Sequence, residues 1–229
     1  MKAKALIFDK DGTLIHYDAS WAPYPKKLFE ILAPDQQDVW SAMGLAVGYD
    51  FETGKFASGS MAVNGTFKDI LAIMEGFIGP VELDAALAAD KEAQQDCTPH
   101  PVGNLNGLLT EFRAQGRKLA VATNDLIHAT ERQLKIMENR ALFDAVYCAD
   151  SGPTPKPSGD MIRAACSEMG VAPSEAIMVG DSSHDLHAGR DAGIGWNVGV
   201  LTGPATREEI VDLADLVLDD IHQLPDHLT

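Results

Sequence analysis

The stretch Ala5-Leu6-Ile7-Phe8-Asp9-Lys10-Asp11-Gly12-Thr13-Leu14 decides how the rest of the chain is read. Four apolar residues in a row, too few for a helix and without helical spacing, predict a buried parallel strand ending at Phe8. Asp9 follows the strand directly, a second carboxylate comes two positions later at Asp11, and Gly12 lets the backbone turn sharply. In an open α/β sheet the ligand site lies outside the carboxyl ends of the strands, so the paired aspartates are expected there. Two carboxylates that close repel each other unless a cation lies between them or one holds a proton. A calcium loop would need further oxygen ligands from the same segment, a closing glutamate and flanking helices. Thr13, Leu14, Ile15 and the preceding strand argue against it.

With 229 residues, 45% of them hydrophobic, the chain has room for one α/β domain with a smaller insertion. A formal net charge of −16 argues against nucleic acid or an anionic membrane as partner, since both reward lysine and arginine. No apolar run approaches the roughly 20 residues of a membrane helix. The first strand starts within a few residues of Met1, leaving no room for a signal peptide, and a cytoplasmic protein is expected. Cys97, Cys148 and Cys166 are odd in number and lack metal-type spacing, so reduced thiols are the expectation.

Residues 17–25 read as a loop carrying Tyr17, Trp21, Tyr24 and two prolines. Helical patterning follows over 27–32, 35–47, 65–75 and 83–94, with no strand between the segments. This predicts a helical cap occupying residues 17–96, inserted into a core made of residues 1–16 and 97–229. A hinge at 97–101 leads into helix 104–115 and a second buried strand, 118–124. Further strands at 144–149, 176–180 and 194–200 alternate with helices at 126–138 and 158–169 and one that continues from Asp181-Ser182-Ser183-His184-Asp185 to about Ala192, and a last strand lies near 216–217. That alternation predicts right-handed crossovers and a Rossmann-like, doubly wound parallel sheet.

Three of these strands end in polar groups that parallel pairing brings to one edge: Asp9 with Asp11, Thr123 with Asn124, and Asp181 with Asp185. A loop adds Lys156, between two prolines. Singly each has an ordinary explanation, as a helix cap, a first-turn acid or a solvated loop lysine. Jointly they predict phosphoryl transfer through an aspartyl-phosphate. Asp9 is the expected nucleophile, and Asp11 the acid that protonates the leaving alkoxide and the base that later activates water. The carboxylates of Asp9 and Asp181 and the carbonyl of Asp11 form a hard oxygen site suited to magnesium. Asp185 stands behind these ligands. The Thr123 hydroxyl, the amides near Asn124 and the Lys156 ammonium are expected to hold the phosphoryl oxygens.

These four motifs together, Asp9-Lys10-Asp11-Gly12-Thr13, Thr123-Asn124, Lys156 and Gly180-Asp181-Ser182-Ser183-His184-Asp185, resemble those of the haloacid dehalogenase superfamily phosphatases. More narrowly, the chain is similar to the phosphoglycolate phosphatase group. The resemblance implies a Rossmann-like core, a magnesium cofactor, Asp9 as nucleophile, Asp11 as acid and base, and a cap of the helical type closing over small substrates. Asp11 favours phosphate esters over haloacids, because the dehalogenases of the superfamily lack the second aspartate. Asp125 departs from the pattern, placing a negative charge where many relatives carry a basic or neutral residue. In the cap loop 57–66, small and polar, Ser60, Asn64 and Thr66 are candidate substrate contacts. Tyr17, Trp21 and Tyr24 are expected to pack cap against core. His184 and His187 share a helix face but sit among carboxylates suited to magnesium rather than to a transition metal.

The expected function is a magnesium-dependent phosphomonoesterase acting on a small phosphorylated metabolite, with 2-phosphoglycolate the first compound to assay. A sugar phosphomutase of the same fold, or a non-catalytic protein that kept it, are the alternatives. A small-molecule phosphate ester is the expected partner, nucleic acid and membrane are not, and the chain is expected to be a monomer or homodimer.

Overall fold

All four side chains of β1 (Ala5–Phe8) are buried, as an uninterrupted apolar strand requires when both faces of its sheet are covered. A computed structural model describes all 229 residues. After β1 come α1 (Tyr17–Trp21), α2 (Tyr24–Leu32), α3 (Trp40–Val47), β2 (Tyr49–Asp50), β3 (Lys55–Phe56), α4 (Met61–Asn64), α5 (Phe67–Ile78) and α6 (Leu83–Ala93). The chain then runs through α7 (Leu105–Ala114), β4 (Lys118–Ala122), α8 (Ile127–Ile136), β5 (Ala145–Tyr147), α9 (Asp160–Met169), β6 (Ala176–Gly180) and α10 (Ser183–Ala192). It closes with β7 (Trp196–Val200), α11 (Arg207–Ile210) and β8 (Leu216–Leu218).

Six strands form one parallel sheet in the order β5-β4-β1-β6-β7-β8. From β1 the chain winds outward through β4 and β5, then crosses back to β6 on the other side of β1. The end of β1 is therefore the topological switch point, where crossovers diverge and leave a crevice. Register makes the convergence concrete: Phe8 lies between Val121 and Val179, so Asp9, Thr123 and Asp181 leave the sheet at the same edge.

Alternation along the strands sorts the core into two layers. Leu6, Phe8, Leu119, Val121, Ile177 and Val179 face α7, whose Leu105, Leu108, Leu109 and Phe112 repeat at helical spacing. Ala5, Ile7, Ala120, Ala122 and Met178 face the other way, against Met161, Ile162 and Ala165 of α9.

Residues 17–96 contribute a separate apolar cluster, with Leu28 and Phe29 from α2, Met43 from α3, Leu71 and Met74 from α5 and Ala86 and Ala89 from α6. The block is helical as expected but not free of strands, because β2 and β3 form a short antiparallel hairpin. Two-residue strands are too short to show an alternating pattern. Gly48, in the left-handed conformation (φ 100°), ends α3 and starts the hairpin, and a Cβ there would stand 2.1 Å from the Cβ of Ser60. Nor are residues 17–25 a plain loop, for they hold α1 and the first turn of α2, where Pro25 is tolerated. The two connections to the core run side by side: His16 N–H donates to the His100 carbonyl (2.9 Å) and Val102 N–H to the Leu14 carbonyl (3.0 Å). No helix is long and apolar enough to cross a membrane.

Candidate active site

Asp9 is held at the tip of β1 by its N–H, which donates to the Val179 carbonyl of β6 (2.8 Å). Lys156, delivered by the loop before α9, donates to Asp9 Oδ1 (2.5 Å) and to Asp185 Oδ1 (2.6 Å). All three side chains are buried, so the ion pairs are scarcely screened. The remaining oxygen of Asp185 accepts from the N–H (3.0 Å) and hydroxyl (2.8 Å) of Ser182, a capping box that opens α10.

Asp181 lies beside them, with one oxygen of each of Asp9, Asp181 and Asp185 within 4.8 Å of the others. The Thr13 hydroxyl donates to Asp181 Oδ1 over 3.4 Å, and Asp181 Oδ2 is buried with no partner. Gly12, left-handed at φ 82°, leaves that oxygen its space, since a Cβ there would lie 2.5 Å from it. Gly203 does the same from the loop after β7, where a Cβ would come to 1.7 Å. Burial pushes the Asp9 carboxyl up to about 7 despite the pull of Lys156, and drives Asp181 well above the usual carboxylate range. Three carboxylates against one ammonium leave a formal charge of −2, with an orphaned buried oxygen inside the cluster. The donor set fits a hard divalent cation.

Asp11 stands apart from that cluster. Its carboxylate pairs with the wholly buried Lys10 ammonium (2.7 Å) and accepts from the indole N–H of Trp21 (2.6 Å). Lys10 also pairs with Asp125 (3.0 Å) and donates to the Gln133 side-chain carbonyl. Asp125, the departure noted in the sequence, thus meets a buried cation from the first motif. Burial carries its carboxyl to about 7, with Lys10 opposing. Sequence reasoning left Lys10 unassigned, and the one available signal was a lysine inside an otherwise buried segment.

Thr123 is buried at the end of β4, and its Oγ accepts from the Asp125 N–H (3.2 Å), which leaves the hydroxyl hydrogen free to donate. Asn124 is a strut: its Nδ2 donates to the carbonyls of Lys156 and Asn64 (both 2.9 Å), and its Oδ1 accepts from the Lys156 N–H (2.9 Å). The Asn64 carbonyl also meets His184 Nδ1 (2.9 Å), so that nitrogen carries the proton. His187 is exposed and takes no part.

Of the three cap residues singled out in the sequence, only Asn64 reaches the cavity. Ser60 is packed against Gly48, and Thr66 is occupied as the N-cap of α5, where its hydroxyl and the Asp69 side chain form a capping box. Both are corrections, and local backbone chemistry is the reason. The aromatic residues do more than pack cap on core: Tyr17, Trp21 and Tyr24 line a cavity shared with Asp9, Asp11, Thr123 and Lys156. Tyr17 donates to the Ala62 carbonyl, fastening α1 to α4, and Tyr24 donates to Asp90 of α6.

A Rossmann-like parallel sheet whose switch point carries a carboxylate cluster braced by one buried lysine, beside a helical block, has the architecture of an α/β enzyme that works at its sheet edge. The family model of haloacid dehalogenase-like hydrolases matches residues 3–193, and the chain belongs to that family. It is 28% identical to the phosphoglycolate phosphatase of Psychrobacter arcticus over 240 residues, covering 100% of this chain and 96% of that one. Similarity to the pyrophosphatase PpaX of Bacillus velezensis is higher, 38% over 95 residues, but covers only 39% of this chain and 44% of that protein. The crystal structure of CbbY from Rhodobacter sphaeroides in complex with phosphate has the same fold, with a TM-score of 0.74, 22% identity, and 97% and 96% of the two chains covered.

Proposed function

We propose that the protein is a magnesium-dependent phosphomonoesterase that hydrolyses a small phosphorylated metabolite through an aspartyl-phosphate, an acyl phosphate formed on Asp9. The observation that carries this reading is the buried Lys156 bridging Asp9 and Asp185 next to an unpartnered Asp181 oxygen, at the sheet edge where Lys156, Asp9 and Asp181 line a cavity. Asp9 attacks phosphorus while Lys156 and the Thr123 hydroxyl hold the non-bridging oxygens, so charge that shifts during transfer is already met by oriented donors. Asp11, two residues on and held by Lys10 and Trp21, gives a proton to the departing alkoxide. It then takes one from the water that cleaves the phosphorylated aspartate, and phosphate leaves. A magnesium ion held by the Asp9 and Asp181 carboxylates and the Asp11 carbonyl would supply the positive charge that lets a carboxylate approach a phosphate. Asp185 braces Lys156 and adds to the negative field.

Residues 17–96 serve as the cap, with the core in 1–16 and 97–229. The names of the full-length relatives make 2-phosphoglycolate the reference substrate to assay. Three buried, unpaired thiols accord with a reducing, cytoplasmic location. The test is turnover of p-nitrophenyl phosphate with magnesium by wild type, Asp9→Asn and Asp11→Asn. The first variant should be inactive, and the second should accumulate phosphorylated Asp9, visible by intact mass. Appreciable turnover by a clean Asp9→Asn preparation overturns the assignment.

A further inference from the structure

The cavity over the sheet edge has two unlike halves. Its core wall is polar, whereas its cap wall is formed largely by Leu28, Phe29, Val47, Phe67 and Ile70. Five aspartates line it, Asp9, Asp11, Asp90, Asp125 and Asp181, against one lysine and no arginine. That lysine is Lys156, already engaged by Asp9 and Asp185 at the phosphate position. Lys10 pairs with Asp11 and Asp125, offsetting one of their two charges, and is not on the cavity wall. Beyond the phosphate, then, a ligand meets apolar, acidic and polar side chains, His184 among them, and no lysine or arginine. A second anion there would lose its water without gaining a partner.

The cap side also carries unmet acceptors. Gln94, 2% exposed, donates through Nε2 to both oxygens of Asp90 (3.1 and 3.0 Å). Asp90 also accepts from the Tyr24 hydroxyl and faces His128 Nε2 (3.0 Å), so it is met by donors on every side, and the Gln94 amide turns its NH2 to it, leaving Oε1 buried and without a partner. Asn64 Oδ1, on the same cavity, is a second buried acceptor with no donor. Such atoms cost stability unless something donates to them.

We propose that this cavity selects phosphate monoesters whose alcohol half has an apolar body, bears no negative charge and ends in a hydroxyl or amino donor, received by Gln94 and Asn64. This rests on the phosphomonoesterase reading and narrows it, turning 2-phosphoglycolate from first candidate into disfavoured comparator.

The test pairs an ω-hydroxyalkyl phosphate with an ω-carboxyalkyl phosphate of equal chain length, with 2-phosphoglycolate and a plain alkyl phosphate alongside. The hydroxy ester should exceed the carboxy ester by about tenfold or more in kcat/KM. Parity or a reversed order overturns the proposal. Gln94→Leu should lower the hydroxy ester toward the plain alkyl ester, and an undiminished preference would count against the acceptor role. Ile70→Lys, checked for cooperative melting, should move the ratio toward the carboxy ester by about tenfold, and an unmoved ratio overturns the charge argument. Val63→Lys serves if Ile70→Lys fails to fold. Should no ester be hydrolysed, the phosphomonoesterase reading falls by itself. Calorimetric titration of the same esters then decides selection, tighter binding of the hydroxy ester supporting it and equal or weaker binding ending it.

Discussion

Two buried lysines, each between two aspartates, sit a few residues apart in the fold and have different work. Lys156 joins Asp9 and Asp185 at the sheet edge, and Lys10 joins Asp11 and Asp125 under the cap. The first group has Asp181 beside it, a surplus of negative charge and an unpartnered oxygen. The second has no third carboxylate on its lysine and instead has hydrogen bonds from Trp21 to Asp11 and from Lys10 to Gln133. Under the proposed function the first group is the one that would receive a cation and a phosphate, and the second, where Gln133 Nε2 is itself buried without a partner, would hold Asp11 in place. Buried charge would then serve binding in one region and positioning in the other.

The largest expected effect lies in the first group. Asp9→Asn should lower kcat by at least about 10⁴-fold with the circular dichroism spectrum unchanged, the scale on which loss of a nucleophile or its partners is felt. Next come the lysines, where removing one partner leaves uncompensated buried charge. Lys156→Met and Lys10→Met should each cost about 3–5 kcal/mol in chemical denaturation without magnesium. The comparison predicts that they part company when magnesium is added. Saturating magnesium should restore much of the stability of Lys156→Met and little of Lys10→Met, because only the first cluster brings three carboxylates together where one cation could meet them. Equal rescue would erase the distinction between the groups. Lys10→Met should also lower kcat by about 10²-fold, the usual contribution of a well-placed acid or base, with KM little changed.

A smaller effect follows from proton linkage. In the metal-free protein the Asp9 carboxyl is pushed up to about 7 and Asp181 well above the ordinary range, both by burial first. Such groups bind protons more tightly folded than unfolded, so folding is favoured by acid. Stability should fall as pH rises from the ordinary carboxylate range through about 7. Magnesium competes with those protons, so the rise in Tm that it gives should be small near pH 5 and grow across the same window. Asp125, also near 7, adds to the fall but not to the magnesium response. Melting curves with chelator and with magnesium, for wild type and Asp181→Asn, separate the two groups. A magnesium shift that ignores pH would show that the cation does not displace protons from this cluster.

The same contrast explains what the sequence could disclose. The sheet edge was legible because parallel strands carry position in their pattern: a run such as Ala176-Ile177-Met178-Val179-Gly180 followed by Asp181 says both strand and strand end. The Lys10 group was not, since nothing in Asp-Lys-Asp tells whether the lysine faces solvent or folds under Trp21. Asp125 looked like a foreign charge for the same reason, its partner lying 115 positions earlier in the chain. In the cap, the helices were legible from their spacing and the β2–β3 hairpin was not, being two residues deep. The cavity lining was hidden because Leu28, Phe67 and Ile70 have the same apolar spacing whether they face a closed core or a ligand.

The smallest prediction probes whether the cap's own stability is separable from the site beneath it. Thr66 and Asn64 are two residues apart, yet Thr66 is spent on capping α5, whereas Asn64 lines the cavity and its carbonyl receives Asn124 and His184. Thr66→Ala removes the N-cap hydroxyl and should cost about 1 kcal/mol. Because the Asn64 carbonyl belongs to the backbone of α4, its contacts to the core do not depend on that hydroxyl, and kcat/KM should stay at the wild-type value. Measured together, a lower Tm with intact turnover places Thr66 in the cap's folding alone. A fall in kcat/KM that follows the fall in stability would mean that the α4–α5 junction transmits strain through Asn124 to Lys156. The cap and the sheet edge would then have to be treated as one mechanical unit.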